Sequence, residues 1–442
     1  MASAIIKAGA ATEEITPKNS QFLYGYPYVE RMSVGAHDPL TCTALYINNG
    51  ARQVMFVTHD ILYLNKAQVA AIRGGISEKT GVPARNILVS VTHTHSAPTP
   101  FDVIISRNDK VVPHYDEEYM RYVVAQSVKT GIEAFENARE AEIGFVMGDA
   151  TGLGTNRHDP AGPRDMEVPT MLVRGLDRKY ICAMLVVCMH PTVLHEDSKL
   201  CSADFPHYTR ELLRKELLGE RCPVAYFTGT SGDQSPRHVT RGNNFSEAQR
   251  LGEIVATSII NKAAEGVVFD RSLDIAVASQ NLELPRRNMP SVEWAVANRD
   301  RAKAHFEALK ADPTADKRET RTAEVDWFGS EEAMLLATLG ANNELEDVYA
   351  SCLPAEIQVV KIGDHRWAAW PGEVFVEFGL TLKQAFNNVS LIGYANGDLQ
   401  GYVVTREAVE KRYYESGNSF FDVSAGYLML EATEKLIEKL SE

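Results

Sequence analysis

Two histidines one residue apart, His93 and His95, close a short apolar run in the stretch ILVSVTHTHSAPT. A β-branched run of this kind predicts a buried strand at Ile87–Val91. Alternate side chains of a strand share a face, so both imidazoles should project from one side of its end. An imidazole placed there can bind a metal ion or move a proton. The theme returns along the chain. The apolar stretch 181–188 leads to His190, and 224–227 runs into the glycine-rich turn TGTSGDQSP with Ser235. The run 366–370 precedes Glu373, and 389–395 precedes Tyr402. In α/β sheets ligands gather at the carboxyl ends of strands, which gives these side chains a reason to converge. Two imidazoles and a carboxylate are a common catalytic zinc set with one position left for water. Zinc there would polarise a carbonyl oxygen and lower the pKa of water, which is hydrolytic chemistry. With 12 histidines in the chain, other triplets stay open.

The elements that must position these groups read as alternating strands and helices. Strands are expected at 54–58, 143–147, 181–188, 224–227, 366–370 and 389–395, besides the one before His93. Helices are expected at 69–76, at 116–135 with an apolar face of Met120, Val123, Val124, Val128 and Ile132, and at 428–440. Ser246 and Gln249 read as a capping pair opening a helix to about residue 261, and Glu373 reads as the opening of another. The fold class is therefore α/β, with mixed sheets flanked by helices. From about Leu282 the character changes: 292–309 and 330–345 are helical, and 311–324 is polar. The expected organisation is a main domain of residues 1–281 and 353–442, with 282–352 as a helical insertion or cap.

The chain has 442 residues, a net charge of −14, 45% hydrophobic and 24% charged residues. Such an acidic balance argues against nucleic acid or an anionic membrane surface as the main partner. The opening MASAIIKAGAATEEI lacks the apolar core of a secretory signal, and no run reaches the ~18 apolar residues of a membrane helix. The six cysteines form no CxxC pair and read as reduced core thiols. The expectation is a cytoplasmic protein without a membrane anchor.

The motifs VTHTHSAPT, the loop with Asn156 and Arg157, MHPTVL, TSGDQSP, WPGEVF and GYVVTREAVEKRYYE follow one another in this order. Together they resemble the catalytic domain of the neutral and alkaline ceramidases, zinc amidases that hydrolyse the N-acyl bond of ceramide. The resemblance runs from about Ala8 to about Glu415. It implies Zn2+ held by His93, His190, Glu373 and Tyr402, with His95 as the proton-transfer group. It also implies that Arg157 and Tyr414 hold the carbonyl oxygen as it becomes an oxyanion, and that Ser235 lies at the substrate. The sequence departs from the pattern in the run after HPT and at Val409, where the sphingolipid enzymes carry a tyrosine. Residues 282–352 have no counterpart, and the chain ends soon after the helix at 428–440, without the C-terminal immunoglobulin-like domain of those enzymes. These departures bear on the substrate, so a soluble polar N-acyl compound is expected to be cleaved better than ceramide.

Rival readings are a zinc esterase or lactonase, ceramide hydrolysis proper, and a zinc-binding protein without catalysis. A serine triad of Ser235, His95 and Asp60 ranks lower because no GxSxG elbow surrounds Ser235. Gly229 and Gly232 suggest a phosphate loop, but no GK[ST] follows. Asp60 and Asp233 either fix a histidine tautomer or close strand-end turns.

Overall fold

The buried apolar runs become strands with both faces covered, in a computed structural model that describes residues 5–441. The first four residues of the opening stretch read above lie outside that range. A nine-stranded sheet contains Lys7–Glu14, Thr41–Asn48, Gln53–His59, Ile87–Val91, Arg139–Asp149, Phe269–Asp270, Glu167–Gly175, Tyr180–Val187 and Val224–Thr228. A four-stranded sheet holds Ile275–Leu282, Ala355–Ile362, His365–Ala369 and Val389–Ile392. The chain is thus the α/β fold with mixed sheets that its pattern predicts.

Side-chain alternation sorts the core into layers. Leu45, Phe56, Leu88, Met184, Val186 and Phe227 face inward onto Val360, Ile362, Trp367, Ala369 and Ile392 of the second sheet. Their neighbours Tyr46, Met55, Val57, Ile87 and Val89 point outward under Val69, Ile72, Met120 and Val123, on the helices Lys66–Thr80 and Glu117–Glu136. Leu185, Val187 and Tyr226 do the same beneath Phe205–Leu213 and Phe245–Ala264. The outer face of the second sheet is covered by Lys317–Ala341, Val376–Ala385 and Ser424–Lys439. Two sheets packed face to face between helices make four layers. Strands buried on both sides lose the polar alternation of a half-exposed sheet, which is why they read as continuous apolar runs.

Three pairs of parallel strands decide where chemistry can sit. Gln53–His59 pairs with Ile87–Val91, Tyr180–Val187 with Val224–Thr228, and His365–Ala369 with Val389–Ile392. Their carboxyl ends are tied together. Thr228 donates its hydroxyl to Thr92 O at 2.7 Å, Gly393 N–H to Thr228 O at 3.0 Å, and Asn396 N–H to Val89 O at 2.7 Å.

Some element boundaries differ from the sequence expectation. The helix expected from Ser246 is capped by Asn244, whose side chain accepts from Glu247 N–H at 3.0 Å. An asparagine is as good a cap as the serine two residues on, and it captures the first turn. The polar stretch 311–324 is mostly helical, because Asp316 caps a helix Lys317–Ala341. That helix pairs with Val292–Ala311 in a hairpin, where Phe306 stacks on Trp327 at 5.5 Å. The strand expected to reach residue 395 stops at Ile392.

Candidate active site

Strand alternation does not bring His93 and His95 together. The strand ends at Val91, and His93 lies beyond it with φ +63°. This left-handed backbone is unusual outside glycine and persists only when its surroundings over-determine it. Here Thr92 N–H donates to His59 O at 2.8 Å, His93 N–H to Ile61 O at 3.1 Å, and Thr94 Oγ1 to Ser202 O at 2.7 Å. The result sets the two rings edge to face at 86°, with their Nε2 atoms 3.3 Å apart.

His190 follows its strand as expected and brings its ring to 4.8 Å from that of His93. Each of the three imidazoles has Nδ1 on a backbone carbonyl: His93 on Leu62 O at 3.0 Å, His95 on Gly25 O at 2.9 Å, and His190 on Ser231 O at 2.6 Å. A carbonyl only accepts, so the Nδ1 of His93 and of His95 carries the proton and leaves Nε2 a lone pair, while His190 Nδ1 faces both a carbonyl and, at 2.8 Å, the donor Arg157 Nη2. Gly25 makes this possible for His95. Its φ of +119° favours glycine, and a Cβ there would stand 2.5 Å from the His95 ring. Ligating nitrogens of the three histidines all lie within 4.8 Å of one another.

Glu373 was expected to open a helix, yet it sits in the two-residue strand Glu373–Val374, paired in parallel with Tyr402–Val403. The helix begins only at Val376. Pairing with Tyr402 fixes the carboxylate more firmly than a fraying helix end could. Gly232 of the TSGDQSP turn packs against this segment: a Cβ there would meet Glu373 O at 2.7 Å, which explains a glycine without any phosphate. Glu373 Oε2 lies 3.1 Å from His190 Nε2 and 3.5 Å from His93 Nε2. Its Oε1 accepts from the Tyr63 hydroxyl. Three imidazoles with ligating nitrogens this close, and Glu373 Oε2 beside two of them, suit a divalent cation, zinc among them.

Arg157 was expected beside Tyr414, and its Nη1 contacts the Tyr414 hydroxyl. Its Nη2 reaches the His190 ring, 2.8 Å from Nδ1 and 3.3 Å from Nε2, and its buried Nε has no partner among the described residues. Tyr414 Oη lies 3.4 Å from Tyr402 Oη. Ser235 is in the short strand Gln234–Ser235, paired with Thr155–Asn156, the loop that carries Arg157. Its hydroxyl accepts from Arg237 N–H at 3.2 Å. The structure thus gathers His93, His95, His190, Glu373, Tyr402, Arg157, Tyr414 and Ser235 at one place.

Asp60 is taken by Arg210 in a two-pronged ion pair at 3.0 and 2.8 Å, so no triad of Ser235, His95 and Asp60 is assembled. Asp233 accepts from Asn156 Nδ2 at 2.6 Å and from Val376 N–H at 3.0 Å, and closes the turn between those segments. Two tyrosines escaped the sequence reading. Tyr63 holds Glu373, and Tyr394 stacks on His93 at 4.1 Å. Both follow strand ends, the same signal that marked the histidines.

Charges here are strongly shaped by burial. Desolvation, then the neighbouring His93 and His190, hold His95 well below the ordinary imidazole value. Desolvation and the Arg157 cation press His190 down to about 3. Burial works against the charge of Glu373, but His93 and His190 more than offset it and keep the carboxyl well below its ordinary range. Burial and then Glu373 push the Tyr402 phenol upward, so a cation beside it is what would ionise it. Tyr414 is likewise raised, by burial first, and stays a hydroxyl donor at neutral pH.

A cavity of about 170 Å³ opens over these groups. His95, Arg157, His190, Ser235, Glu373, Tyr402 and Tyr414 line one side, while Arg321, Val325, Phe328 and Glu332 of Lys317–Ala341 line another. His93, with none of its surface exposed, lies behind the wall.

No family model matches this chain. Among solved structures it superposes on neutral ceramidase from Pseudomonas aeruginosa with a TM-score of 0.75 and 18% identity, over 99% of this chain and 75% of that one. A second match is a ceramidase complexed with C2, with a TM-score of 0.73 and 16% identity, over 97% of this chain and 74% of that one. The neutral-ceramidase-like fold implied by the motifs is the fold observed.

Proposed function

We propose that the protein is a zinc-dependent amidohydrolase that cleaves the N-acyl bond of a soluble, polar small molecule. The observation that carries this reading is the convergence of three imidazoles, with Glu373 Oε2 3.1 and 3.5 Å from two of them, in and directly behind the wall of a cavity. In this reading Zn2+ is held by His93, His190, Glu373 and Tyr402. The ion supplies Lewis acidity, polarising a carbonyl oxygen and lowering the pKa of water at the site. The remaining work falls to the chain.

Backbone carbonyls hold the imidazole rings in place, and Tyr63 turns Glu373 so that Oε2 faces the ligand nitrogens. His95, neutral at physiological pH, takes a proton from the attacking water on Nε2 and delivers it to the departing amine. The Gly25 carbonyl steadies the ring and its charged form during that transfer. Arg157 and Tyr414 line the same cavity, where in this reading they meet the carbonyl oxygen as negative charge develops. Ser235 orients the bound acyl compound.

The small cavity supports a compact substrate, since drug-sized ligands occupy roughly 300–1,000 Å³ and ceramide brings two long chains. Among the described residues no helix is long and apolar enough to cross a membrane. Six buried, unpaired cysteines support a reducing, cytoplasmic setting. The test is a comparison of kcat/KM for soluble N-acyl compounds, the matching esters and a short-chain ceramide. Turnover of soluble amides is expected to lead. A ceramide advantage of about tenfold or more, a difference of ~1.4 kcal/mol, would restore the plain ceramidase reading. Turnover of esters alone would make the enzyme an esterase.

A further inference from the structure

Arg237 lies in the single turn Pro236–His238 directly after Ser235, and it lines the cavity together with Arg321 and Arg157. The other two arginines are compensated. Arg157 has Tyr414 and, at 3.6 Å, Glu415, while Arg321 has Glu196 at 3.1 Å and Glu324 at 2.6 Å. Among the described residues the Arg237 guanidinium has no hydrogen-bond acceptor and no ion pair. The acids around it are spent or distant. Glu415 is engaged by His158 at 2.9 Å, and Asp326 is exposed and outside ion-pair distance. Glu332, on the facing helix, accepts from Asn418 Nδ2, and burial pushes its carboxyl up to about 8, so it is largely uncharged at neutral pH.

Arg237 is half-buried in the cavity wall, burial pulls its guanidinium below the ordinary value, and a cation without a partner there is one that an anionic ligand can satisfy. A guanidinium fork matches a planar carboxylate in two parallel hydrogen bonds. Placed one turn from Ser235 and beside Arg157, the fork can act on the same molecule that reaches the imidazoles. We propose that Arg237, with Arg321 beside it, binds a carboxylate carried by the N-acyl substrate. The enzyme would then act on acylated amino acids, or on amides whose acyl half ends in a carboxylate. This inference rests on the cavity's being where an N-acyl compound is cleaved.

The test uses matched pairs in the zinc-loaded protein: N-acetylalanine against N-acetylalaninamide, and a succinylated amine against the corresponding propionylated amine. The two pairs show on which half of the molecule the charge is read. The carboxylate member of at least one pair should have the higher kcat/KM, by roughly 10- to 100-fold, the range of a charge-assisted hydrogen bond. Arg237→Met should remove most of that preference, and Arg237→Lys should restore part of it. Thermal midpoints give a readout that does not need turnover. The carboxylate members should raise the parent's midpoint more than they raise that of Arg237→Met, and unliganded Arg237→Met should melt no lower than the parent. Equal handling of charged and neutral members by the parent, or an Arg237→Met loss of the same factor on both, would overturn the proposal while leaving the amidase reading intact. Carboxylate stabilisation dependent on Arg237 without cleavage of any amide would uphold the anion site and sink the amidase reading instead.

Discussion

The two sides of the cavity are built by different rules. The side with His93, His95, His190 and Glu373 is made of strand ends, cross-linked by backbone hydrogen bonds such as Gly393 N–H to Thr228 O at 3.0 Å. The opposite side belongs to the helix Lys317–Ala341, where Arg321, Val325, Phe328 and Glu332 approach through side chains alone. On the first side the main chain sets the position of each reactive atom, down to the carbonyl under each Nδ1. On the second, position depends on rotamers and ion pairs. The strand-end wall is suited to chemistry, which fails when groups move by an ångström. The helical wall is suited to choosing substrates, where looser contacts suffice.

Substitutions on the two walls should therefore differ in kind as well as size. Glu373→Ala should have the largest effect, with zinc content falling sharply and activity dropping to background. Full zinc occupancy in that variant would remove the carboxylate from the ligand set. His95→Ala should cost roughly 10²–10⁴-fold in kcat while zinc content stays near the parent's. Loss of the metal instead would mean that the two histidines of the HxH pair exchange roles. Tyr414→Phe should lower kcat by ~10²-fold, the scale of one lost oxyanion donor, with KM nearly unchanged. Phe328→Ala, on the helical wall, should raise KM by roughly three- to tenfold, the scale of a small apolar contact, with kcat close to the parent's. A kcat collapse in Phe328→Ala would erase the contrast between the walls.

Much of the strand-end wall is legible in the sequence. Buried parallel strands read as apolar runs, and the polar residue after each run stands at a carboxyl end. The same rule also marks His59, which the fold uses differently. Its Nδ1 faces Ser90 O at 3.0 Å and its Nε2 meets Ser127 Oγ at 2.7 Å, so no nitrogen is left for a ligand. Nothing in the sequence around the two histidines separates them, because the partner Ser127 is 68 residues away. Positive φ at His93 was equally invisible, since it is imposed by Ile61 and Ser202 from other segments. The helical wall was least legible. Glu332 matters through the charge it lacks, and Arg237, in the turn after Ser235, was equally hidden, because both depend on contacts across the cavity.

His59 yields the mildest prediction. Burial lowers its pKa to about 4, against an ordinary 6.5. Between those values the unfolded chain binds a proton that the folded chain does not, so this group's contribution falls as pH drops from about 6.5 to about 4 and is level above that window. Urea unfolding at pH 7.5 and 5 should show a smaller acid loss in His59→Gln than in the parent, with any neutral-pH destabilisation common to both conditions.

The account stands most directly on metal dependence. The protein should be stripped with a chelator, assayed on a soluble N-acyl substrate, and titrated with zinc while activity is followed. Activity should vanish on stripping and return in proportion to zinc, saturating at about one ion per chain, the number a single catalytic donor set of this kind holds. Undiminished turnover by the stripped, metal-free protein would contradict it.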